Sequence, residues 1–65
     1  MKLIVNGEDH HLDVLNLTDV LAALEYEGGW LATAVNGELV HREDRADYRL
    51  AEGDRIEILA PLQGG

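Results

Sequence analysis

The chain has 65 residues, no cysteine and a formal net charge of −8, from 13 acidic and 5 basic side chains. This length suits one small domain, and without cysteine neither disulfides nor a thiolate metal site can supplement its core. The acidic charge argues against nucleic acid and anionic membranes as partners, because both require a basic surface. It favours solubility and association with a partner that presents a basic face.

The N-terminal segment lacks the pattern of a targeting signal. Lys2 and three apolar residues precede a turn, which is too short for a signal peptide. No apolar run in the sequence approaches the roughly 20 residues that span a bilayer. We therefore expect a cytoplasmic protein that does not engage a membrane. We also expect the chain to be a monomer when it is free.

The first predicted element is a β-hairpin. Its first strand is apolar and β-branched, with the sequence KLIV, and the Asn6-Gly7 pair after it is a strong signal for a two-residue hairpin loop. The next stretch alternates at its end, with Leu12 and Val14 on one face and Asp13 on the other. The first strand alternates least, which predicts that it is central in the sheet.

A single helix is predicted in the stretch LTDVLAALEYEGG. Thr18 can cap its start, and Gly28-Gly29 can end it, which gives a length of about ten residues. Its apolar side chains fall on one face and predict packing against the sheet. They are Val20, Leu21 and Leu24, with Leu17 just before the cap.

The second half of the chain is predicted to hold strands and no second helix. The third strand is WLATAV, and a second hairpin signal at Asn36-Gly37 joins it to ELV. The charged stretch HREDRAD is predicted to be a solvated loop or a single helical turn, and YRL a further short strand. In the last strand, RIEILA, Ile56 and Ile58 should point inward. Arg55 and Glu57 should point outward.

This order of elements predicts an α+β fold of the β-grasp (ubiquitin-like) type. One helix can cover only one face of a mixed sheet of roughly four to five strands, in agreement with the alternating strands. A hairpin, a crossing helix and a last strand beside the first define the β-grasp arrangement, whereas a ferredoxin-like fold needs a second helix. We assign the β-grasp domain to residues 1–60 and a flexible C-terminal tail ending in Gly-Gly to residues 61–65.

The histidines and acidic residues do not predict a metal site. His10 and His11 are adjacent, so on a strand their side chains point to opposite faces, and His41 is distant in sequence. Without cysteine or histidines spaced four apart, solvent-facing histidines are the better interpretation. The acidic stretch lacks the spacing and glycine of a calcium loop, and no Ser/His/Asp set or phosphate-binding glycine loop occurs in the sequence.

Three stretches of the chain resemble one family: AVNGELVHRED, LAEGDRIEIL and the terminal GG. Their order and spacing are similar to those of the ThiS family, the ubiquitin-like sulfur carriers of thiamine biosynthesis. The family commonly has a proline before the arginine that follows the second hairpin, whereas here His41 precedes Arg42. This departure affects a surface loop and therefore bears on partner preference more than on the fold.

The resemblance implies a protein carrier and not an enzyme. It implies that an adenylating enzyme of the ThiF type, related to ubiquitin-activating enzymes, uses ATP and Mg to couple AMP to the carboxylate of Gly65. Sulfur from cysteine, passed on by a cysteine desulfurase relay, then replaces AMP to leave a thiocarboxylate. A ThiG-type thiazole synthase takes up that sulfur. The carrier itself would hold no bound cofactor and no metal.

The tail residues suit this chemistry. An α-carboxyl group is ionised at neutral pH, and adenylation supplies the leaving group that a carboxylate lacks. Gly65 is therefore the predicted reactive residue, and Gly64 gives the tail access to a narrow channel because neither glycine has a Cβ. Residues 61–65 extend over roughly 16–18 Å, and Leu62 and Gln63 offer side chains to a partner.

A docking surface is predicted on the face of the sheet that the helix leaves uncovered. Leu59 lies on the outward side of the last strand with Arg55 and Glu57, and Leu62 lies just beyond it. We predict that Leu59 and Leu62 form an apolar docking spot for the adenylating enzyme and thiazole synthase, with nearby acidic residues steering the encounter.

Three alternative functions remain open at this point. A sulfur carrier for molybdopterin synthesis also ends in Gly-Gly, although its chain is usually longer. A ubiquitin-like modifier would form an isopeptide with lysine. A small β-grasp binding module of RNA-binding enzymes has a similar hairpin pattern, but the net charge of −8 and the terminal Gly-Gly argue against it.

Overall fold

The computed structural model describes residues 1–26 and 30–60. Within these residues the chain forms five strands, one α-helix and one 3-10 helix. The strands are β1 (Lys2–Val5), β2 (Glu8–His11), β3 (Ala32–Val35), β4 (Glu38–Val40) and β5 (Arg55–Leu59). The α-helix α1 spans Leu17–Ala23, and the 3-10 helix spans Arg42–Asp47.

The sheet has the order β2-β1-β5-β3-β4, which places the last strand in the middle. β5 runs parallel to β1 and antiparallel to β3. The hairpins β1–β2 and β3–β4 lie on either side of it. The predicted α+β fold with a mixed sheet and the last strand beside the first is confirmed. The first strand is interior, but the central position belongs to β5, because each hairpin contributes one strand to its pairing.

Both hairpins turn at an Asn-Gly pair, as predicted. Asn6 and Asn36 have φ angles of 50° and 52°, and the following Gly7 and Gly37 have φ angles of 83° and 86°. Positive φ at both central residues is typical of the type I′ turn, whose twist matches that of the flanking strands. The two loops thereby set the register of both hairpins.

The start of α1 is set by Asn16. Its side-chain oxygen accepts a hydrogen bond from the Asp19 N–H at 2.9 Å, and the Asp19 carboxylate accepts one from the Asn16 N–H at 3.4 Å. This reciprocal pair is a capping box. The prediction of Thr18 as the cap is wrong, since Thr18 lies two residues later, exposed in the first turn.

The end of α1 comes earlier than predicted. The helix has seven residues, and its C-cap is Leu24. Glu25 then adopts a left-handed φ of 64°, while the N–H groups of Glu25 and Tyr26 donate to the carbonyls of Ala22 and Leu21. These two bonds form a Schellman motif, here with glutamate at the position that glycine usually takes. The predicted end at Gly28-Gly29 lies outside the described residues.

The core lies between α1 and one face of the sheet. Ile56 and Ile58 are buried and Arg55 and Glu57 exposed, as predicted. Leu17 is fully buried within the first turn of α1 and not before its cap. The buried apolar residues are Leu3, Val5, Val14, Leu17, Val20, Leu21, Leu31, Val35, Val40, Leu50, Ile56 and Ile58, and Leu12, Leu24, Tyr26 and Tyr48 pack at their margin.

The charged stretch after β4 contains a buried arginine. Arg45 is only 5% exposed; its Nε donates to Thr33 Oγ1 at 3.0 Å and its Nη2 to the Leu31 carbonyl at 2.5 Å. Thr33 Oγ1 donates in turn to the Val40 carbonyl at 2.8 Å. The segment is helical, as one of the two predictions had it, but the prediction that all of it is solvated is wrong because Arg45 ties it to β3.

The segment YRL, in the second half of the chain, was predicted to be a short strand. In place of a strand, the segment forms a single bridge between Arg49 and Asn16. The predicted tail, residues 61–65, lies outside the described residues, so the boundary after residue 60 stays a prediction. None of the helices in the described part of the chain combines the length and hydropathy that a membrane crossing requires.

Replacement of Asn16 by alanine tests the capping box. Asn16→Ala should lower the free energy of unfolding by about 1 kcal/mol, because it removes the acceptor for the Asp19 N–H. In a domain of this size the loss corresponds to a decrease in Tm of roughly 4–8 °C, measured by circular dichroism. Thr18→Ala is the matched control and should stay within about 0.5 kcal/mol of the parent chain. A larger loss for Thr18→Ala than for Asn16→Ala would contradict the assignment.

Replacement of Thr33 by valine tests the buried polar cluster. Thr33→Val keeps the volume but removes the donor to the Val40 carbonyl and the acceptor for Arg45 Nε. The unpaired buried groups should cost about 1–3 kcal/mol in urea denaturation. Thr33→Ser retains the hydroxyl and should lose less. The cluster would carry no stability if Thr33→Val unfolded at the same urea concentration as the parent chain.

Candidate functional site

The side chains of β5, the strand that precedes the predicted tail, alternate between the two faces of the sheet. Ile56 and Ile58 point towards α1 and are buried. Arg55, Glu57 and Leu59 alternate with them and point to the opposite face, which no described element covers. Leu59 is 71% exposed. The outward position predicted for it is confirmed.

Strand register places three further apolar residues around Leu59. Ala32 of β3 lies directly opposite Leu59, and Ala34 lies opposite Glu57 on one side and Leu39 of β4 on the other. Leu39 is 64% exposed. We call Ala32, Ala34, Leu39 and Leu59 the leucine patch. It lines a shallow depression of about 100 Å³ together with Thr33 and Glu57.

The leucine patch was only partly visible in the sequence. Leu59 was predicted from the alternation of β5, whereas Leu39 and the two alanines were missed. The signal for Leu39 was present, because a two-residue loop at Asn36-Gly37 requires Ala34 to face Leu39. The other predicted site residues lie outside the described residues: Leu62, Gln63, Gly64 and Gly65.

Trp30 is a further exposed apolar residue, and it was not predicted to belong to a site. Its side chain is 78% exposed, whereas the neighbouring Leu31 is buried. Trp30 was predicted to belong to the third strand but lies in a turn two residues before β3 begins. A large exposed aromatic side chain is a frequent anchor in protein interfaces.

Charged residues occupy the other half of the uncovered face. Lys2 Nζ lies 3.6 Å from Asp9 Oδ2 across the β1–β2 pair, with both side chains exposed. Arg55 lies opposite Ile4 where β5 meets β1. Surface ion pairs of this kind contribute little stability. The uncovered face therefore has an apolar half on β3, β4 and the end of β5. Its other half, on β1 and β2, is mainly charged but also includes Ile4.

The histidines and the other surface depressions do not have the features of a metal site or a small-ligand pocket. His10 Nε2 lies 3.9 Å from Glu8 Oε1, and the described ranges hold no group of three His, Cys, Asp or Glu side chains arranged to hold a metal ion. Two further depressions of about 240 Å³ lie beside the Asn36-Gly37 turn and between Asn6 and Tyr26. These volumes are below the roughly 300–1,000 Å³ typical of small-ligand pockets.

Comparison with known proteins identifies the family. The ThiS family model matches residues 3–65. The chain belongs to the ThiS family. The match includes the leucine patch and extends to Gly65, so it also spans the residues predicted to form the tail.

Solved ThiS structures have the same fold. The crystal structure of the thiamine biosynthesis protein ThiS from Geobacter metallireducens is 33% identical, with a TM-score of 0.83 and 100% of both chains covered. A solution structure of a thiamine biosynthesis protein from the same organism is also 33% identical, with a TM-score of 0.84, and covers 100% of this chain and 88% of the other. The resemblance to ThiS and the β-grasp fold are thereby confirmed.

One relative of this ThiS-family chain is a much longer protein. A thiazole synthase from Paramagnetospirillum magneticum is 30% identical over 66 residues, which cover 100% of this chain. The chain spans only 20% of the length of that relative. The longer protein therefore contains a segment similar to the whole of this ThiS-family chain.

Proposed function

We propose that this ThiS-family chain is a sulfur carrier for formation of the thiazole ring of thiamine, with the sulfur held as a thiocarboxylate on Gly65. The observation that carries the proposal is the family match, which runs from residue 3 to the last glycine. The ThiS structure of the same fold and full coverage supports it. Both favour this function over a molybdopterin carrier, a protein modifier and an RNA-enzyme module.

The proposed chemistry takes place on the terminal carboxylate in two steps. A carboxylate oxygen of Gly65 attacks the α-phosphate of ATP, and pyrophosphate leaves. A thiol reductant releases hydrosulfide from the relay persulfide and forms a disulfide with the relay cysteine. The hydrosulfide then bonds to the carbonyl carbon, AMP departs with the electrons of the broken C–O bond, and the S–H proton goes to solvent. No change in carbon oxidation state is required. ATP and Mg belong to the adenylating partner in this scheme.

The proposed partners are an adenylating enzyme of the ThiF type and a thiazole synthase of the ThiG type. The thiazole synthase relative supports the second partner, since a segment similar to this chain forms part of a protein with that name. The adenylating enzyme and the cysteine desulfurase relay follow from the family resemblance. The carrier would act as their co-substrate and not as an enzyme.

The leucine patch is the proposed docking surface for these partners. Leu39 and Leu59 are both more than half exposed, and they stand on paired strands, so their backbone is already ordered before a partner binds. The seven residues from Leu59 to Gly65 reach roughly 23–25 Å when extended. A partner that holds the patch therefore needs its reaction centre within that distance. The net charge of −8 would speed the encounter with a basic surface.

A charge placed in the leucine patch tests the docking surface. Leu59→Glu should lower kcat/KM for adenylation by roughly 5- to 30-fold, the loss expected from a hot-spot residue worth 1–2 kcal/mol. ATP–pyrophosphate exchange with the adenylating enzyme measures this effect. Leu15→Glu introduces the same charge at a residue that is 63% exposed outside the patch, and it should be adenylated normally. Unimpaired adenylation of Leu59→Glu would exclude the patch as the docking surface.

Intact mass spectrometry tests the carrier function itself. After incubation with ATP, Mg, the adenylating enzyme and a sulfur donor, the chain should gain the mass that corresponds to replacement of one oxygen by sulfur. Deletion of Gly65 should abolish this gain. Adducts that link the C-terminus to lysine side chains would favour a protein modifier instead, and absence of both AMP and sulfur adducts would overturn the proposal.

A further inference from the structure

The side chain of Asn6 continues the pairing between β1 and β5 beyond the end of β1. The Asn6 N–H donates to the Ile56 carbonyl at 2.9 Å. Its side-chain Oδ1 accepts a hydrogen bond from the Ile58 N–H at 2.8 Å, and its Nδ2 donates to the Ile58 carbonyl at 3.2 Å. The asparagine therefore bonds to two successive positions on the same edge of β5.

The turn geometry explains why a side chain takes this role. β1 ends at Val5, and the chain reverses at Asn6, whose φ is 50°. No backbone group of β1 remains opposite Ile58, and an interior strand edge needs partners for its N–H and C=O. A side-chain amide carries the same donor and acceptor as a peptide group, so it substitutes for the missing residue.

A third contact restrains the Asn6 amide from the side of the helix. Its Nδ2 also lies 3.4 Å from the hydroxyl of Tyr26. Tyr26 is the last residue of the Schellman motif that ends α1, and its side chain packs against the core. The amide is therefore held between the end of β5 and the end of α1.

Asn36 makes the corresponding contacts at the opposite end of β5. Its N–H donates to the Arg55 carbonyl at 2.7 Å, and its Oδ1 accepts from the Arg55 N–H at 3.0 Å. Its Nδ2 donates to Asp54 Oδ1 at 3.0 Å. The two turn asparagines thus bond to opposite ends of β5. Of the two, Asn6 lies at the end that precedes the predicted tail.

We infer that Asn6 is a positioning residue for the tail. By bonding both backbone groups of Ile58, it holds the end of β5, which is the strand that precedes the predicted tail. Only Leu59 and Ala60 separate Ile58 from that segment. The role of Asn6 in the reaction rests on the proposed carrier function, whereas its effect on the strand end does not.

The chemistry of the position explains why asparagine suits it. Glycine accepts a positive φ but offers no amide. Aspartate tolerates the turn and retains the acceptor for the Ile58 N–H, but it has no donor and places a carboxylate beside the Ile58 carbonyl. Asn6→Gly and Asn6→Asp both allow the turn but remove at least one of the two hydrogen bonds to Ile58. They therefore separate the role of Asn6 in the turn from its role in holding the end of β5. Asn36→Gly is the matched control at the other end of β5.

The first measurement uses the free chain and needs no partner. In NMR relaxation and amide exchange, Asn6→Gly should speed exchange of the Ile58 N–H at least about tenfold relative to Ile56. The order parameters of Leu59 and Ala60 should fall from about 0.85 towards 0.6. Asn36→Gly should leave both residues unchanged. Unchanged order parameters of Leu59 and Ala60 in Asn6→Gly would overturn the inference, whether or not the chain is adenylated.

The second measurement separates positioning from docking and from general stability. With the adenylating enzyme, Asn6→Gly and Asn6→Asp should lower kcat by about tenfold while KM changes less than threefold, because the enzyme still binds the β3 and β4 residues of the leucine patch. Asn36→Gly should retain kcat. Equal losses of kcat in Asn6→Gly and Asn36→Gly would overturn a specific role of Asn6. If the parent chain were not adenylated at all, the carrier proposal would fail. The free-chain measurement would still decide whether Asn6 holds the end of β5.

Discussion

The structure depends on the pairing of β5 with a strand on each side. A strand parallel to β1 cannot follow it through a tight turn, so the chain must cross the sheet before β5 begins. The crossing segment contains α1, which covers one face and buries Ile56 and Ile58 beneath it. Because side chains alternate along a strand, the same pairing points Leu59 to the other face. The core and the leucine patch are thus two consequences of one interaction.

Two sets of polar side chains stabilise this arrangement. Arg45 and Thr33 place charge and hydroxyl inside the domain, and each donates a hydrogen bond to a backbone carbonyl. The asparagines of the two turns serve both as left-handed turn residues and as partners for the ends of β5. In a domain with a small core, such double use of a residue reduces the number of side chains needed for stability.

The predictable parts of the fold were those decided by neighbouring residues. Each Asn-Gly pair set its turn by itself, and the alternation in RIEIL assigned Ile56 and Ile58 to the core. The cap of α1 was not predicted correctly, because both Asn16 and Thr18 are good caps. Burial of Leu17 in the first helical turn favours Asn16. Arg45 was missed because its partners, Thr33 and the Leu31 carbonyl, reach it only when the 3-10 helix packs beside β3.

The sequence by itself determined the order of the elements, the two turns, the inward face of β5 and the resemblance to the ThiS family. These follow from periodicity, turn chemistry and short motifs, which act over a few residues. Only the tertiary structure decided that Leu39 and Leu59 share one patch and that Asn6 bonds to Ile58, 52 positions away. Such contacts join residues distant in sequence, and they arise because β5 enters the sheet between two hairpins formed earlier in the chain.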